Sequence, residues 1–390
     1  MRCPFQGGYP LGSDDIHFST VRNENNNMSR FISDRFKTLE AYVPGEQPSE
    51  TEYVKLNTNE SPYPPPPGVT SVIDEFEKKR LNLYPNPDGS RLVKKLAEFY
   101  GVNPENVITG NGSDELLAFA FLAFCDRGRG VVFPDITYGF FPVYSELYGI
   151  PYTLIPLKHN LSVEPSDYFN IGKNIVLANP NAPTGIALPL RDIEAIVQNN
   201  PDFIVLIDEA YVDFGAQSAI SLTKEYDNLL IMHTYSKSRS MAGARMAFAI
   251  GAEAIIDDLR KMKYSFNPYN VNRLTQLMGE AALVEDAYYR EKRSEIIATR
   301  EYTQARLREI GFLMTDSKAN FIFAKHPETG GYAMYAALKE KGILVRQWSK
   351  PRISDYIRIT IGTRDQMDAL ITAIIAVLAE KGTYLCERVI

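Results

Sequence analysis

The sequence predicts an α/β protein, with a mostly parallel sheet covered by helices on both faces and a smaller α+β unit after it. Three observations carry this. Six short runs are apolar throughout: "GVVFP" (130–134), "YTLIPL" (152–157), "NIVLANP" (174–180), "FIVLIDEA" (203–210), "LLIMHTY" (229–235) and "MAFAIG" (246–251). Helix-like segments, such as Leu190 to Asn199, separate most of them. After about residue 265 the pattern changes to long helical stretches around two half-buried strands. A strand with no polar face is buried on both sides, as parallel strands between helices are.

A chain of 390 residues exceeds one ordinary core, so two domains are expected. Residues 1–27 lack both periodicity and the apolar core of a signal peptide; they read as a flexible extension, with Met28 as an alternative start. Residues 28–66 end in "KLNTNESPYPPP", whose prolines exclude helix and central strand, and are expected to pack with the smaller domain. The large domain is assigned to 67–265. It opens with amphipathic segments at Val72 to Leu83 and Ser90 to Tyr100, a strand at Val107 to Thr109 and a helix at Glu115 to Phe124. The small domain, 266–390, holds a broken helical stretch from Asn272 to Glu309, then the strands "ANFIFAKH" and "YIRITIG". Helices at Tyr332 to Lys341 and Arg364 to Glu380 accompany them.

Composition excludes several classes. A net charge of −6 argues against a nucleic-acid-binding surface. No apolar run is long enough for a transmembrane helix. Three cysteines, Cys3, Cys125 and Cys386, are sparse and lack a C-x-x-C pair, which favours a reducing cytoplasm. The four histidines show no metal-ligand spacing, so no metal is expected. No strand runs into G-x-G-x-x-G, which disfavours a nicotinamide dehydrogenase.

Ligands of open α/β sheets gather where strands end. There the sequence places "TGNGSDELL", a glycine turn and helix start suited to an anion, with Ser113 and Asp114. "PDITYGFF" places Tyr138, and "ANPNAPTG" makes a rigid turn. "IDEAYVDF" puts Asp208 at the edge of the core, where a carboxylate needs a positive or donating partner. "HTYSKSRSMAGARMA" puts Lys237 just past a buried strand. A lysine whose pKa is lowered from about 10.4 becomes a nucleophile towards an aldehyde. Pyridoxal phosphate is such an aldehyde, and it also needs an acid at its ring nitrogen and a helix start for its phosphate.

At these motifs the sequence resembles the fold-type I, pyridoxal-phosphate-dependent aminotransferases, and among them the histidinol-phosphate aminotransferase branch. The resemblance covers roughly residues 30–380 through "LNTNESPYPPP", "LYPNPDG", "GNGSDE", "PDITYG", "NPNAPTG", "DEAYVDF", "YSKSRSMAGARMA" and "YIRITIGT", in the family's order. It implies a seven-stranded large-domain sheet, a homodimer and the cofactor pyridoxal 5'-phosphate. Lys237 is implied to bind the cofactor and move the substrate proton, Asp208 to pair with the ring nitrogen, and Tyr211 to bond the phenolic oxygen. Tyr138 is implied to stack on the ring, with Ser113, Asp114, Ser236 and Arg245 on the phosphate. Tyr84 is implied to reach the neighbouring subunit's cofactor. Arg358 is implied to clamp a carboxylate, with Asn59, Tyr42 and Arg346 lining the substrate pocket. Where the family has asparagine before Pro-Thr-Gly this chain has Ala182, and Asn181 is the neighbouring amide.

The activity implied is amino-group exchange between histidinol phosphate and 2-oxoglutarate, a step of histidine biosynthesis. Threonine-phosphate decarboxylase and a broad aromatic transaminase share the motifs. A cofactor-binding transcriptional regulator would need a basic module upstream, and residues 1–27 carry only Arg2 and Arg22.

Overall fold

The structure, a computed structural model, describes residues 29–48 and 53–380. The expected extension, 1–27, lies outside the described residues. One compact unit ends at Glu40 and a second begins at Ala41; everything below concerns the second.

Its strands are β1 (Val54–Lys55), β2 (Val107–Gly110), β3 (Val131–Pro134), β4 (Tyr152–Ile155), β5 (Asn174–Ala178), β6 (Val205–Asp208) and β7 (Leu229–Thr234). They continue as β8 (Ala247–Gly251), β9 (Leu313–Met314), β10 (Phe321–Lys325), β11 (Ile343–Leu344), β12 (Arg346–Gln347) and β13 (Ile357–Thr360). Seven form one sheet in the order β2-β8-β7-β6-β5-β3-β4. Its pairings are parallel except the two made by β8, which runs against both β2 and β7.

The all-apolar runs follow from burial on both faces. Alternate side chains divide between two cores, as the two-residue period of a strand requires. Ile175, Leu177, Val205, Ile207, Leu229 and Ile231 enter one core, which the helix Leu190–Gln198 covers with Ile193, Ile196 and Val197. Val176, Leu206, Leu230 and Met232 enter the other, which the helix Ser113–Phe124 covers with Leu116, Leu117 and Phe121.

A second, antiparallel sheet has the order β12-β13-β10-β9. It packs with the helices Asp286–Glu309, Gly331–Glu340 and Arg364–Glu380 around Ile322, Ile357 and Ile359. β1 pairs in parallel with β11, Val54 opposite Ile343. This brings the stretch ahead of the prolines against the chain's last third.

Most expected elements form within a residue or two of their predicted ends, and the helical break falls at Glu285, between Arg273–Val284 and Asp286–Glu309. Val72 to Leu83 differs. Only the turn Glu75–Lys78 is helical, because Phe76, Leu81 and Leu83 are exposed and no core stabilises a longer helix. Among the described residues no helix is long and apolar enough to cross a membrane.

Candidate active site

The parallel strands end along one edge of the large sheet, and the reversed β8 begins there. Lys237 lies three residues past the end of β7, in a loop fixed on both sides. Tyr235 N donates to Met246 O at 2.9 Å and Met241 N to Tyr235 O at 3.0 Å. The Ser238 hydroxyl donates to Asp213 Oδ2. Arg239 is buried, donating to Ala282 O at 2.8 Å and pairing with Asp286 at 3.0 Å. Among the described residues the lysine amine has no carboxylate partner and donates only to the Thr58 carbonyl, at 3.1 Å. Burial, assisted by the Arg358 cation, pushes its pKa down to about 8. The neutral, nucleophilic fraction at pH 7 thereby rises roughly a hundredfold over that of a free lysine.

Asp208 closes β6. It is 6% exposed, and among the described residues its side chain accepts one hydrogen bond, from the Ala210 N–H at 3.1 Å. Burial holds its pKa up at about 7, because no cation among the described residues pairs with it directly. Its neighbour Glu209 is spent elsewhere, on His233 Nε2 at 2.8 Å, Ser218 Oγ at 2.5 Å and Ala219 N at 2.6 Å. Tyr211 stands edge-on to Phe321, its ring centroid 5.9 Å from Lys237 Nζ, and its hydroxyl accepts from Asn59 Nδ2 at 3.0 Å.

Beyond β2, Gly112 adopts φ +87° and Ser113 starts a twelve-residue helix whose first N–H groups have no intrahelical partners. A Cβ at Gly112 would meet the Arg245 guanidinium and push it aside, and the positive φ itself favours glycine there. Arg245 Nη2 pairs with Asp114 Oδ2 at 3.1 Å, and the Tyr138 hydroxyl donates to Asp114 Oδ1 at 2.7 Å. Ser236 is buried beside Thr234, whose hydroxyl donates to it at 2.9 Å. These groups make an anion cradle.

The facing side comes from the second sheet. Arg358 on β13 lies directly across from Arg346 on β12. Arg358 donates from Nη2 to Asn57 O at 2.9 Å, while its buried Nε has no partner. Arg346 braces the chain before β1, donating to Pro44 O at 3.1 Å and Val43 O at 3.0 Å. Tyr42, next to those carbonyls, stacks on Phe140 at 4.2 Å and lies 6.3 Å from Tyr138.

Lys237, Asp208, Tyr211, Tyr138, Asp114, Arg245, Asn59, Tyr42, Arg346 and Arg358 are thus linked through contacts or shared electrostatics. Ser113 and Ser236 belong to the cradle beside them, and two expected residues lie apart from both. Asn181 spends both amide protons on Ile136 O (3.0 Å) and Thr184 Oγ1 (3.1 Å), while its oxygen accepts from Thr137, so it braces the turn and has no donor left to replace the one missing at Ala182. Tyr84 is 77% exposed and stacks on Tyr269, away from its own chain's lysine. Asn57 and Thr58 contribute main-chain carbonyls, which carry no signal in a sequence; Thr360 does carry one, standing two residues from Arg358 on the same face of β13.

A nucleophilic amine, an unpaired buried acid and an anion cradle suit a phosphorylated heteroaromatic aldehyde whose ring nitrogen can take a proton. The comparisons agree with that chemistry. The sequence model of the family described as aminotransferase class I and II matches residues 51–374. The histidinol-phosphate aminotransferase of Brachyspira hyodysenteriae is 49% identical over 348 residues, 89% of this chain and 98% of that protein. That of a Marinomonas species is 48% identical over 89% of this chain and 99% of its own length. Among solved structures, histidinol-phosphate aminotransferase from Sinorhizobium meliloti in complex with pyridoxal-5'-phosphate superposes with a TM-score of 0.83 at 22% identity, covering 91% of this chain and 99% of that one. Such a match shows the fold, and the two closer sequences, aligned nearly end to end, show the branch: this chain belongs to the histidinol-phosphate aminotransferase family of the class I and II aminotransferases.

Proposed function

We propose that the protein uses pyridoxal 5'-phosphate to exchange an amino group between L-histidinol phosphate and 2-oxoglutarate, in the cytoplasm, as a step of histidine biosynthesis. The observation that carries the substrate reading is the Arg346–Arg358 pair. Two like charges directly across antiparallel strands repel, and a doubly charged anion between them relieves that repulsion.

The residues present fit the cofactor group by group. Asp208, buried with no cation paired to it, offers a carboxylate to the ring nitrogen; Tyr211 offers a hydroxyl to the phenolic oxygen. The Ser113 and Asp114 N–H groups, Ser236 and Arg245 hold the phosphate, with Tyr138 against the ring. When bound, the cofactor supplies the aldehyde that joins the amino group and a ring that takes up the electron pair left at Cα. With the cofactor bound, Lys237 Nζ would be the base that takes the substrate's Cα proton and the acid that gives it back. Its depressed pKa suits both roles. Asp208 would hold a proton on the ring nitrogen. Arg358 receives the α-carboxylate of glutamate in one half-reaction, and Arg358, Arg346 and Tyr42 receive the phosphate of histidinol phosphate in the other. The bidentate fork of arginine lets one site serve both anions.

The direct test follows glutamate formation from histidinol phosphate and 2-oxoglutarate, with CO2 release from threonine phosphate as the competing outcome. Arg346→Ala should weaken the apparent affinity for histidinol phosphate by roughly tenfold to a hundredfold, the worth of one charge-assisted contact. Unphosphorylated aromatic amino acids should be affected far less. Equal losses for both would move the assignment to a general aromatic transaminase.

We further propose a homodimer in which Tyr84 completes the partner's phosphate site. Leu81, Leu83, Tyr84 and Phe266 are exposed apolar side chains of the kind that a second copy covers. Mixing inactive Lys237→Ala with inactive Tyr84→Phe subunits should restore about a quarter of the sites, because half the dimers are hybrids with one intact site each. No recovery on mixing, with a monomer by light scattering, would refute the shared site.

A further inference from the structure

The segment Asn57–Asn59 crosses the site and makes three consecutive contacts. Asn57 O accepts from Arg358, Thr58 O accepts from Lys237, and Asn59 Nδ2 donates to the Tyr211 hydroxyl. The rest of Asn59 is committed to a frame. Its backbone N–H donates to Thr360 Oγ1 at 2.9 Å, the Thr360 hydroxyl donates to its Oδ1 at 3.1 Å, and its carbonyl accepts from Asn320 Nδ2 at 3.0 Å. It is 1% exposed, in the left-handed region at φ +56°.

This frame fixes which end of the amide faces Tyr211. The backbone N–H must donate, so Thr360 Oγ1 accepts from it and turns its own proton to the side chain. Only Oδ1 can accept that proton, which leaves Nδ2 towards the tyrosine. A phenol oxygen that accepts from an amide directs its own O–H elsewhere and becomes a stronger donor. Among the described residues no other group hydrogen-bonds the Tyr211 hydroxyl. Ala182 and Phe321 beside its ring are apolar, Lys237 Nζ lies 5.9 Å from the ring centroid and donates to Thr58 O, Arg358 donates to Asn57 O, and the Asn181 amide is engaged within its own turn.

We infer that Asn59 is a positioning residue for Tyr211: its amide aims the phenolic proton into the cofactor site, and Thr360 ties that amide to the strand carrying Arg358. Asn59 then braces Tyr211, a role beyond the lining of the substrate pocket that the resemblance implies. The inference rests on the proposed placement of Tyr211 against the cofactor's phenolic oxygen.

Spectroscopic pH titration of the cofactor-loaded protein tests it, together with the dissociation constant for pyridoxal phosphate. Asn59→Gly removes the amide and accepts the positive φ without strain. Thr360→Val keeps the shape and removes the hydroxyl, and it decides the question alone if Asn59→Gly does not fold. A weaker donor at the phenolic oxygen leaves more negative charge there to hold the proton on the Lys237 nitrogen. The apparent pKa of the cofactor–Lys237 linkage should therefore rise, most in Tyr211→Phe and by roughly half a unit in the other two. Cofactor affinity should fall in the same order, and neither Asn59→Gly nor Thr360→Val should add a shift in the Tyr211→Phe background. A shift in Tyr211→Phe with none in the other two, or one that persists without the phenol, overturns the role of Asn59 alone. No shift in Tyr211→Phe overturns the placement of Tyr211 and the inference with it.

Discussion

Lys237→Ala protein should lose transamination by at least about ten-thousandfold, because in the proposed mechanism one change removes both the cofactor's covalent anchor and the group that moves the substrate proton. The loss should not resemble misfolding. The loop is held by Ser238, Arg239 and the Tyr235–Met246 backbone pair, none of which involves the lysine amine. Circular dichroism and melting should stay close to those of the parent. Borohydride should fix the cofactor to the parent at Lys237 and leave the variant unlabelled; labelling elsewhere on the variant chain would reassign the anchor. The amine's pKa of about 8 adds a kinetic signature. Only the neutral amine attacks, so the rate at which cofactor-free protein captures pyridoxal phosphate should climb as pH rises towards 8 and level off above it.

Asp208→Asn should be the second-largest loss. The substitution keeps shape and removes charge, so cofactor affinity should weaken modestly while turnover falls on the order of a thousandfold. That corresponds to about 4 kcal/mol for two charges some 4 Å apart at an effective dielectric near 20. Near-normal turnover would end the role assigned to this carboxylate. Without cofactor the same substitution should act in the opposite sense on stability. Burial raises the pKa of Asp208 from 3.8 to about 7. Between those values the folded chain keeps a proton that the unfolded chain has released. Stability therefore falls as pH rises across that window and stays lower above it. Asparagine cannot ionise, so the variant should melt higher than the cofactor-free parent above pH 7, by up to a few kcal/mol, and about equally near pH 4. Carboxylates in active sites commonly trade stability for function in this way.

Much of this arrangement was readable from the chain. The apolar runs announced a doubly covered sheet, and a lone lysine and aspartate at their ends marked the chemical edge. The direction of β8 was not readable, because "MAFAIG" is apolar whichever way it runs. Burial alone does not say that this strand starts where its neighbours end, yet that reversal sets Arg245 beside the helix start at Ser113. The segment from Val72 to Leu83 misled because an amphipathic pattern reports a face to be covered and not what covers it. Thr58 escaped notice because its contribution is a carbonyl, a group every residue has. Asn59 drew attention as an amide, but its target is set by a threonine 301 residues away.

That separation has a consequence for how the protein comes into being. Lys237 and Arg245 are carried by adjacent strands and meet through local pairing, the kind of contact that forms early. The strap at Asn57–Asn59 must wait for β13, which is made last among the described strands. At a synthesis rate of about 5–20 residues per second, the strap exists for roughly a quarter of a minute to a minute before Arg358 and Thr360 do. Through that interval Thr58, Asn59 and the proline run behind them have no strand β13 to dock on. The newborn chain therefore completes the loop of Lys237 and Arg245 first, and the Arg358 side of the site arrives only with the last described strand.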